Sequence, residues 1–263
     1  VQHRRPGSRH VTRWLAALAL ALLCAAPAQA DRLVSQISND TIEIDSSFSG
    51  ERMNFFGSIE PDSGSAEKFV TGPFNVVIVV LGPTQNRVAR EKTHNLGIWL
   101  NTDQVEFDNF PSYLHILSSS RLTDITDITT LTTNALLPEA YTMASSQADW
   151  WKTEIFSREL IRLMTEQGLF GTQENGVNFL SESFYSARLT LPSNAPPGPY
   201  IALTYVFKDG EIIARKSEGF SVRKIGFERF LALASVQQPL FYGLVCVILE
   251  LFTGWLGGVL FKR

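Results

Sequence analysis

The hydrophobic pattern is strongest near the C-terminal end of the chain, in the 22-residue run at positions 240–261. Glu250 is the only charged residue in this run, and thirteen of the others are Leu, Ile, Val or Phe. At 1.5 Å per residue a helix of this length spans about 33 Å, enough to cross a bilayer core of roughly 30 Å. The aliphatic and Phe residues favour insertion by roughly 0.3 to 0.6 kcal/mol each and outweigh a central carboxyl group, which costs about 3 kcal/mol. We therefore predict a transmembrane helix at 239–261.

The other end of the chain has the pattern of an export signal. Residues 1–30 contain an apolar run at 14–26, the small residues Ala28 and Ala30, and a basic start formed by Arg4, Arg5, Arg9 and Arg13. These features predict a secretory signal peptide that is cleaved after Ala30. The alternative, an uncleaved N-terminal anchor, is less favoured because the apolar run is short for a span.

Together the two ends predict the topology. The leader places the domain at 31–225 outside the cytoplasm, and Lys262 and Arg263 behind the span obey the positive-inside rule. We expect a single-pass protein of the inner (plasma) membrane with its domain in the periplasm and a cytoplasmic tail at 262–263. Without the leader, Cys246 is the only cysteine, so we expect no disulfide framework.

The pattern of the exported domain is that of a mainly β protein. The run at 74–81 (FNVVIVVL) is continuously apolar between two Gly-Pro pairs, which is typical of a buried central strand. Asp209-Gly210 predicts a two-residue hairpin turn, and the Pro-Gly-x-Tyr motif at 197–200, which opens an alternating strand, is common in immunoglobulin-like folds. Further strands are predicted at 41–45, 53–59, 87–92, 97–100, 105–107, 113–118, 179–191, 200–208 and 211–222. We predict an immunoglobulin-like β-sandwich with a helical insertion.

Helical periodicity interrupts the strands once and returns before the span. A helix is predicted at about 147–167, with a capping box formed by Ser146 and Asp149 and a stop at Gly168. Its predicted apolar face consists of Trp150, Phe156, Leu160, Ile161, Leu163 and Met164. Trp151 and Ile155 lie on the polar flank of this helix. They form either a contact patch for a partner or a surface that a second layer of the domain covers, and we prefer the second interpretation. The stretch at 118–134 is left as a connector, and 226–238 is predicted to be an interfacial linker helix.

Charge and motifs exclude several function classes. The chain has 23 basic and 26 acidic residues, and without the leader arginines the balance is 19 to 26, a net charge of −7. This argues against nucleic acid or an anionic membrane surface as the partner of the folded part.

The exported histidines, His94 and His115, lack zinc-site spacing, and no nucleophile elbow, P-loop or dinucleotide motif occurs. A cluster of three acidic residues could suggest a calcium site: Asp103, Glu106 and Asp108. Because the spacing of an EF-hand is absent, a solvated acidic turn is the better explanation. We expect no enzymatic activity, metal or cofactor.

The best functional signal lies within the predicted span. Gly243, Val247, Glu250, Gly254 and Gly258 are spaced by 4, 3, 4 and 4 residues, so they line one helical face. Gly-x-x-x-Gly allows close approach of two backbones, and intramembrane carboxyl groups usually face protein or water. This face predicts docking to an integral membrane protein of the permease type, or self-association. The alternative is a plain anchor whose only partner is membrane lipid.

Several stretches together resemble one family. They are NFFG (54–57), FNVVIVVLGP (74–83), RVAREK (87–92), GIWLN (97–101), VEF (105–107), FPSY (110–113), LP (191–192), PGPY (197–200), KIG (224–226), YG (242–243) and GW (254–255). The chain resembles a family of alphaproteobacterial transmembrane proteins whose function is uncharacterised. The resemblance implies the layout of leader, extracytoplasmic domain and C-terminal span. Members are often encoded beside sulfite-exporter-type permeases, which implies a transport-associated role.

Three functions follow from these expectations. The leading prediction is a non-enzymatic accessory or interaction partner of a membrane transporter. The second is a periplasmic module, tethered to the membrane, that binds or senses a small ligand and needs a concave polar pocket. The third, a hydrolase or metalloenzyme, requires His94 or His115 to lie near two or more carboxylates.

Overall fold

The computed structural model describes residues 32–44, 50–61, 70–95, 97–225 and 227–260; the predicted leader and cytoplasmic tail lie outside them. The strands of the described residues are β1 (Arg32–Ile37), β2 (Thr41–Ile44), β3 (Glu51–Glu60), β4 (Asn75–Leu81), β5 (Thr84–Asn95), β6 (Ile98–Pro111), β7 (Leu114–Ser118), β8 (Phe170–Gln173), β9 (Val177–Phe179), β10 (Phe184–Leu191), β11 (Gly198–Lys208) and β12 (Glu211–Lys224). The helices are α1 (Leu122–Ile125), α2 (Ile128–Thr133), α3 (Pro138–Ser145), α4 (Trp150–Glu166), α5 (Phe227–Gln237) and α6 (Pro239–Leu260).

Two β-sheets share one hydrophobic core. The first has the order β1-β3-β10-β9 and is antiparallel, and the second has the order β2-β12-β11-β4-β7-β8. In the second sheet β2 runs parallel to β12 and β8 runs parallel to β7. The two sheets contact each other where the hydroxyl group of Tyr185 on β10 lies near that of Thr204 on β11. Because Tyr185 is buried there, its pKa is raised to about 12. The prediction of a mainly β protein with one C-terminal apolar helix is confirmed.

The order of strands resembles that of immunoglobulin-like sandwiches. Strands β1, β3, β10 and β9 correspond to strands A, B, E and D, and β12, β11, β4 and β7 correspond to G, F, C and C′. The buried Tyr200 at the start of β11 donates a hydrogen bond from its hydroxyl group to the carbonyl oxygen of Pro196 over 2.8 Å. Such a tyrosine corner is a hallmark of these sandwiches. The immunoglobulin-like fold stays a prediction, one that both features support.

The central strand β4 is buried on both faces because the helical insertion covers the second face. Val76 to Val80 are all fully buried. Ile78 pairs with Thr204 and faces the first sheet, whereas its neighbour Val77 pairs with Tyr205 and faces the other way. Tyr141 of α3 lies beside Tyr205, and the hydroxyl group of Thr126 donates to the carbonyl oxygen of Gly210 over 2.7 Å. This explains why the sequence of β4 is continuously apolar.

The structure corrects several local predictions. The connector at 118–134 contains the helices α1 and α2, and the side chain of Asp127 caps α2 by accepting from the backbone amides of Thr129 and Thr130. The predicted capping box is wrong, because the side chain of Asp149 makes no cap bond and the hydroxyl group of Ser146 contacts that of Thr153 at 2.7 Å. The predicted strand at 179–191 is interrupted between β9 and β10. Strands β1 and β8 and helix α3 were missed.

The buried face of α4 agrees with the prediction in part. Met164 is buried, and Phe156, Leu160 and Ile161 are partly buried and pack against the core, as predicted. Two small polar side chains that were not predicted, Thr153 and Ser157, are also buried on this face. Leu163 is on the flank and 46% exposed, and Trp150, the first residue of the helix, is 74% exposed. Trp151 and Ile155 are 47% and 57% exposed, so no second layer within the described residues covers them.

Strands β5 and β6 form a long hairpin that makes a two-stranded sheet of its own. The predicted strands at 97–100 and 105–107 are parts of the single strand β6. Its base enters the core through Val105, Phe107 and Phe110, which are buried, whereas residues 98–102 are exposed. Lys152 of α4 forms a 2.9 Å ion pair with Asp103 of the hairpin and holds its base against the helical insertion.

Two consecutive helices follow the β domain. Helix α5 occupies the region of the predicted linker helix, and hydrogen bonds from the backbone amides of Gln238 and Tyr242 continue the helical path into α6. Of the residues that the structure describes, α6 is the one helix long and apolar enough to cross a membrane, over Pro239–Val259. That α5 lies at a membrane surface stays a prediction.

Candidate functional site

The predicted docking face of α6 is continuous along the helix. With 3.6 residues per turn and 1.5 Å per residue, its five residues fall within an arc of roughly 80° and extend over about 22 Å of the axis. They are Gly243, Val247, Glu250, Gly254 and Gly258. Glu250 lies near the centre of this surface, with Gly254 one turn further along.

The same side of α6 carries further small residues that the sequence reading passed over. Cys246, Thr253 and Gly257 lie on the flank of the face, while Phe241 and Phe252 lie on the opposite side. The signal was present in the sequence, because these positions are three residues before or after members of the predicted face. The helix therefore carries most of its small and polar residues along one side, which we call the small-residue side.

No other part of the described chain covers the small-residue side. A β-carbon added at Gly243, Gly254, Gly257 or Gly258 would meet no atom within 4 Å. Val247 is 52% exposed, and the described part of the chain gives the Glu250 carboxyl group no hydrogen-bond or ion-pair partner. In contrast, the hydroxyl group of Thr253 donates to the carbonyl oxygens of Leu249 and Glu250, at 2.9 and 3.0 Å. Glu250 is thus the polar group of this side that has no partner within the helix.

A second candidate site is a polar cleft in the β domain, with a volume of about 540 Å³. It lies between the turn that joins β8 to β9 and the part of β10 beyond the end of β9. Amide and hydroxyl side chains line it, together with His115 and Arg188, whose Nε atom donates to Oδ1 of Asn54 over 3.4 Å. The other polar lining side chains are Gln173, Asn175, Asn178, Ser186 and Thr190. None of the described lining residues is a carboxylate, so the cleft presents neutral polar groups and one cation.

His115 lies at the inner end of this cleft. Its ring stacks on that of Tyr113 with centroids 4.8 Å apart, and its Nε2 atom lies 3.3 Å from the carbonyl oxygen of Gly168. Burial lowers the pKa of His115, so the ring is neutral near pH 7. Gly171 passes so close that a β-carbon there would lie 2.7 Å from Cε1 of the ring, which explains a residue without a side chain at this position.

The features that a metalloenzyme would need are not brought together in the described residues. His94 is on the long hairpin, where the centroid of its ring lies 5.0 Å from that of Trp99. His115 lies on β7, in a different sheet. Within the ranges that the structure covers, no group of three or more His, Cys, Asp and Glu side chains is placed to hold a metal ion. The absence of enzymatic activity nevertheless stays a prediction.

The acidic group of the hairpin has structural contacts instead. The ammonium group of Lys152 donates to Asp103, and this bond lowers the pKa of the Asp103 carboxyl group. Asp108 accepts a hydrogen bond from Nε2 of Gln147 over 3.3 Å. These two residues attach the base of the hairpin to the segment around the start of α4.

A β-sheet domain followed by a single helix of membrane-spanning length and apolarity defines the class of protein: a β domain with one candidate membrane helix. The chain belongs to the family described as "Putative transmembrane protein (Alph_Pro_TM)", whose model matches residues 32–263. The match covers the β domain and α6, including all five residues of the predicted docking face. A comparison with curated proteins found no match.

Proposed function

We propose that this protein is a non-enzymatic accessory of an integral membrane transporter, with its β domain in the periplasm and its C-terminus in the cytoplasm. The observation that carries the proposal is Glu250, a carboxyl group without a partner among the described residues, at the centre of a glycine-lined side of the candidate membrane helix. The excess of acidic over basic residues and the membership of a transmembrane family support the same proposal.

The energetics of the bilayer favour a partner for this side. A carboxyl group at the centre of a span costs about 3 kcal/mol against lipid, and a hydrogen bond from a partner helix removes part of this cost. Gly254 and Gly258 allow the backbone of such a helix to approach closely, so that van der Waals contacts replace contacts with lipid chains. The large side chains of the opposite side, such as Phe241 and Phe252, are suited to lipid.

Co-purification of the intact chain from membranes tests the proposal. Glu250→Leu and Gly254→Leu should each reduce the recovery of a crosslinked membrane partner, because one removes the hydrogen bond and the other blocks close approach. Phe252→Leu, on the opposite side, is the matched control and should leave recovery unchanged. If both variants recover the partner as well as the wild-type chain does, the docking proposal is wrong.

The polar cleft favours a second candidate function, the binding or sensing of a small ligand. Its volume of about 540 Å³ lies in the range of small-molecule sites. Its lining of amide, hydroxyl and guanidinium groups suits a small polar ligand. A ligand present at a hundred times its Kd would stabilise the chain by about 2.7 kcal/mol. Thermal unfolding of the purified chain with sulfate, phosphate or acetate, compared with an Arg188→Ala variant, tests this function. A transition unmoved by any of these anions counts against an anion-binding cleft.

A further inference from the structure

The outer end of the β5–β6 hairpin exposes large apolar side chains to solvent. Ile98, Trp99 and Leu100, which we call the arm tip, are 57%, 67% and 44% exposed. They lie seven residues or fewer from Val105, where the hairpin enters the core, so the arm projects by about 23 Å at 3.3 Å per residue. A two-stranded ribbon is at best marginally stable alone in water, which makes an apolar end on such an arm unfavourable unless something covers it.

The arm tip is apolar on both faces of the ribbon. Successive side chains of a strand point to opposite faces, so Trp99 points to one face while Ile98 and Leu100 point to the other. A protein surface packed against the ribbon would cover one face and leave the other in water. An environment that surrounds the end of the ribbon, such as the interfacial region of a bilayer, covers both.

The charges near the arm tip suit a lipid interface. The stretch at 92–102 contains Lys92 and His94 and no carboxylate, in a chain that has 26 acidic residues. Trp is enriched at membrane–water interfaces, where its ring lies at the level of the headgroups. A membrane would be present next to the β domain, because α6 is the candidate membrane span of the chain and the family is described as transmembrane.

We propose that the arm tip inserts into the leaflet of the same membrane that faces the β domain, so that the protein contacts the bilayer at a second point besides α6. Insertion is driven by burial of Ile98, Trp99 and Leu100 rather than by charge, and the contact therefore requires no anionic lipid. This proposal rests on the membrane assignment of α6 and does not depend on docking through Glu250.

Spin labelling of the full chain in phosphatidylcholine vesicles tests the proposal. A nitroxide is attached to Ile98→Cys in a Cys24→Ala, Cys246→Ala background, which keeps Trp99 in place. We expect the label to be accessible to oxygen, which concentrates in lipid, and protected from a water-soluble nickel complex. The matched control is Val88→Cys, at the base of the same hairpin, where the wild-type side chain is 44% exposed and the label should be accessible to the nickel complex.

Two outcomes would overturn the proposal. If the label at position 98 is as accessible to the nickel complex as the one at position 88, the arm tip lies in water. If it is protected from both reagents, the tip is covered by protein, either a partner or a second copy. Repeating the measurement with Glu250→Leu separates this proposal from the proposed function, because loss of docking through α6 should leave the accessibility at position 98 unchanged.

Discussion

Replacement of Val77 by alanine tests the central feature of the fold, the burial of β4 on both faces. Val77 is fully buried although it points away from the first sheet, toward the side where Tyr141 of α3 lies beside Tyr205. In a sandwich with no covering layer, a residue on this face would be in contact with water, and its truncation would have little effect. The prediction therefore distinguishes a two-layer from a three-layer arrangement at β4.

The expected loss of stability follows from the buried volume. The substitution removes the equivalent of two methylene groups, which is about 1.6 kcal/mol of transfer free energy at about 0.8 kcal/mol each. A residual cavity of about 40 Å³ would add about 1 kcal/mol at roughly 24 cal/mol per Å³. We expect Val77→Ala to lower the free energy of unfolding by about 2–3 kcal/mol, or the melting temperature by about 4–12 °C.

Urea unfolding of the intact chain in detergent micelles, followed by near-ultraviolet circular dichroism of the buried tyrosines, measures this change. Val80→Ala truncates a fully buried residue on the opposite face of β4 and should cost a similar amount. Val88→Ala, at a 44% exposed site, should stay within about 0.5 kcal/mol of the wild type. If Val77→Ala behaves like Val88→Ala while Val80→Ala is strongly destabilised, the helices do not cover this face.

Three further predictions concern single residues of the β domain. In Gly57→Ala the new β-carbon would lie 2.6 Å from the carbonyl oxygen of Val34 and 2.5 Å from the hydroxyl oxygen of Tyr185. Urea unfolding should therefore show that the free energy of unfolding falls by about 1–3 kcal/mol. An unchanged midpoint would contradict the packing of β1 against β3. Tyr200→Phe removes the hydrogen bond to Pro196 and should cost about 1 kcal/mol in the same assay. Burial lowers the pKa of His115 in the folded chain below its ordinary value of 6.5. As the pH falls below 6.5, the ring takes up a proton more readily in the unfolded chain than in the folded one. The contribution of the neutral ring to the free energy of unfolding is therefore present above pH 6.5 and is lost below it. The difference in stability between the wild type and His115→Asn should therefore change between pH 7.5 and pH 5.5, and a constant difference would show that the ring is not held neutral.

Local sequence signals predicted the parts of the fold whose physics is local. The hairpin turn at Asp209 and Gly210 was predicted correctly, since both residues have positive φ, at 51° and 86°, as the two central positions of a type I′ turn require. The continuous apolar run of β4 predicted a fully buried strand, because burial on both faces leaves no polar position. The apolar run of α6 was recognised in the same way.

Features that depend on distant contacts were not predictable in this way. Thr153 and Ser157 look polar in sequence, yet they are buried on the core side of α4, beside the predicted Met164, because small side chains allow close approach to neighbouring elements. Strand β8 has four residues and gains its place by pairing with β7 across more than fifty positions of sequence. The cleft around His115 likewise combines residues of β3, β7, β10 and the turn after β8, so no single stretch could indicate it.

The positions of the insertions suggest where this protein meets other molecules. The first sheet and the middle of the second pack against each other, and the helices α1 to α4 cover the remaining face at β4, so that face is unavailable to a partner. Exposed tryptophan side chains of the β domain instead lie on inserted segments, at the arm tip and at Trp150 and Trp151 of α4. Inserted segments carry function more often than the strands that support them, since they can vary without disturbing the core. The β-sheets are therefore best understood as the support that carries the arm and the cleft, in a domain that the candidate membrane helix α6 follows.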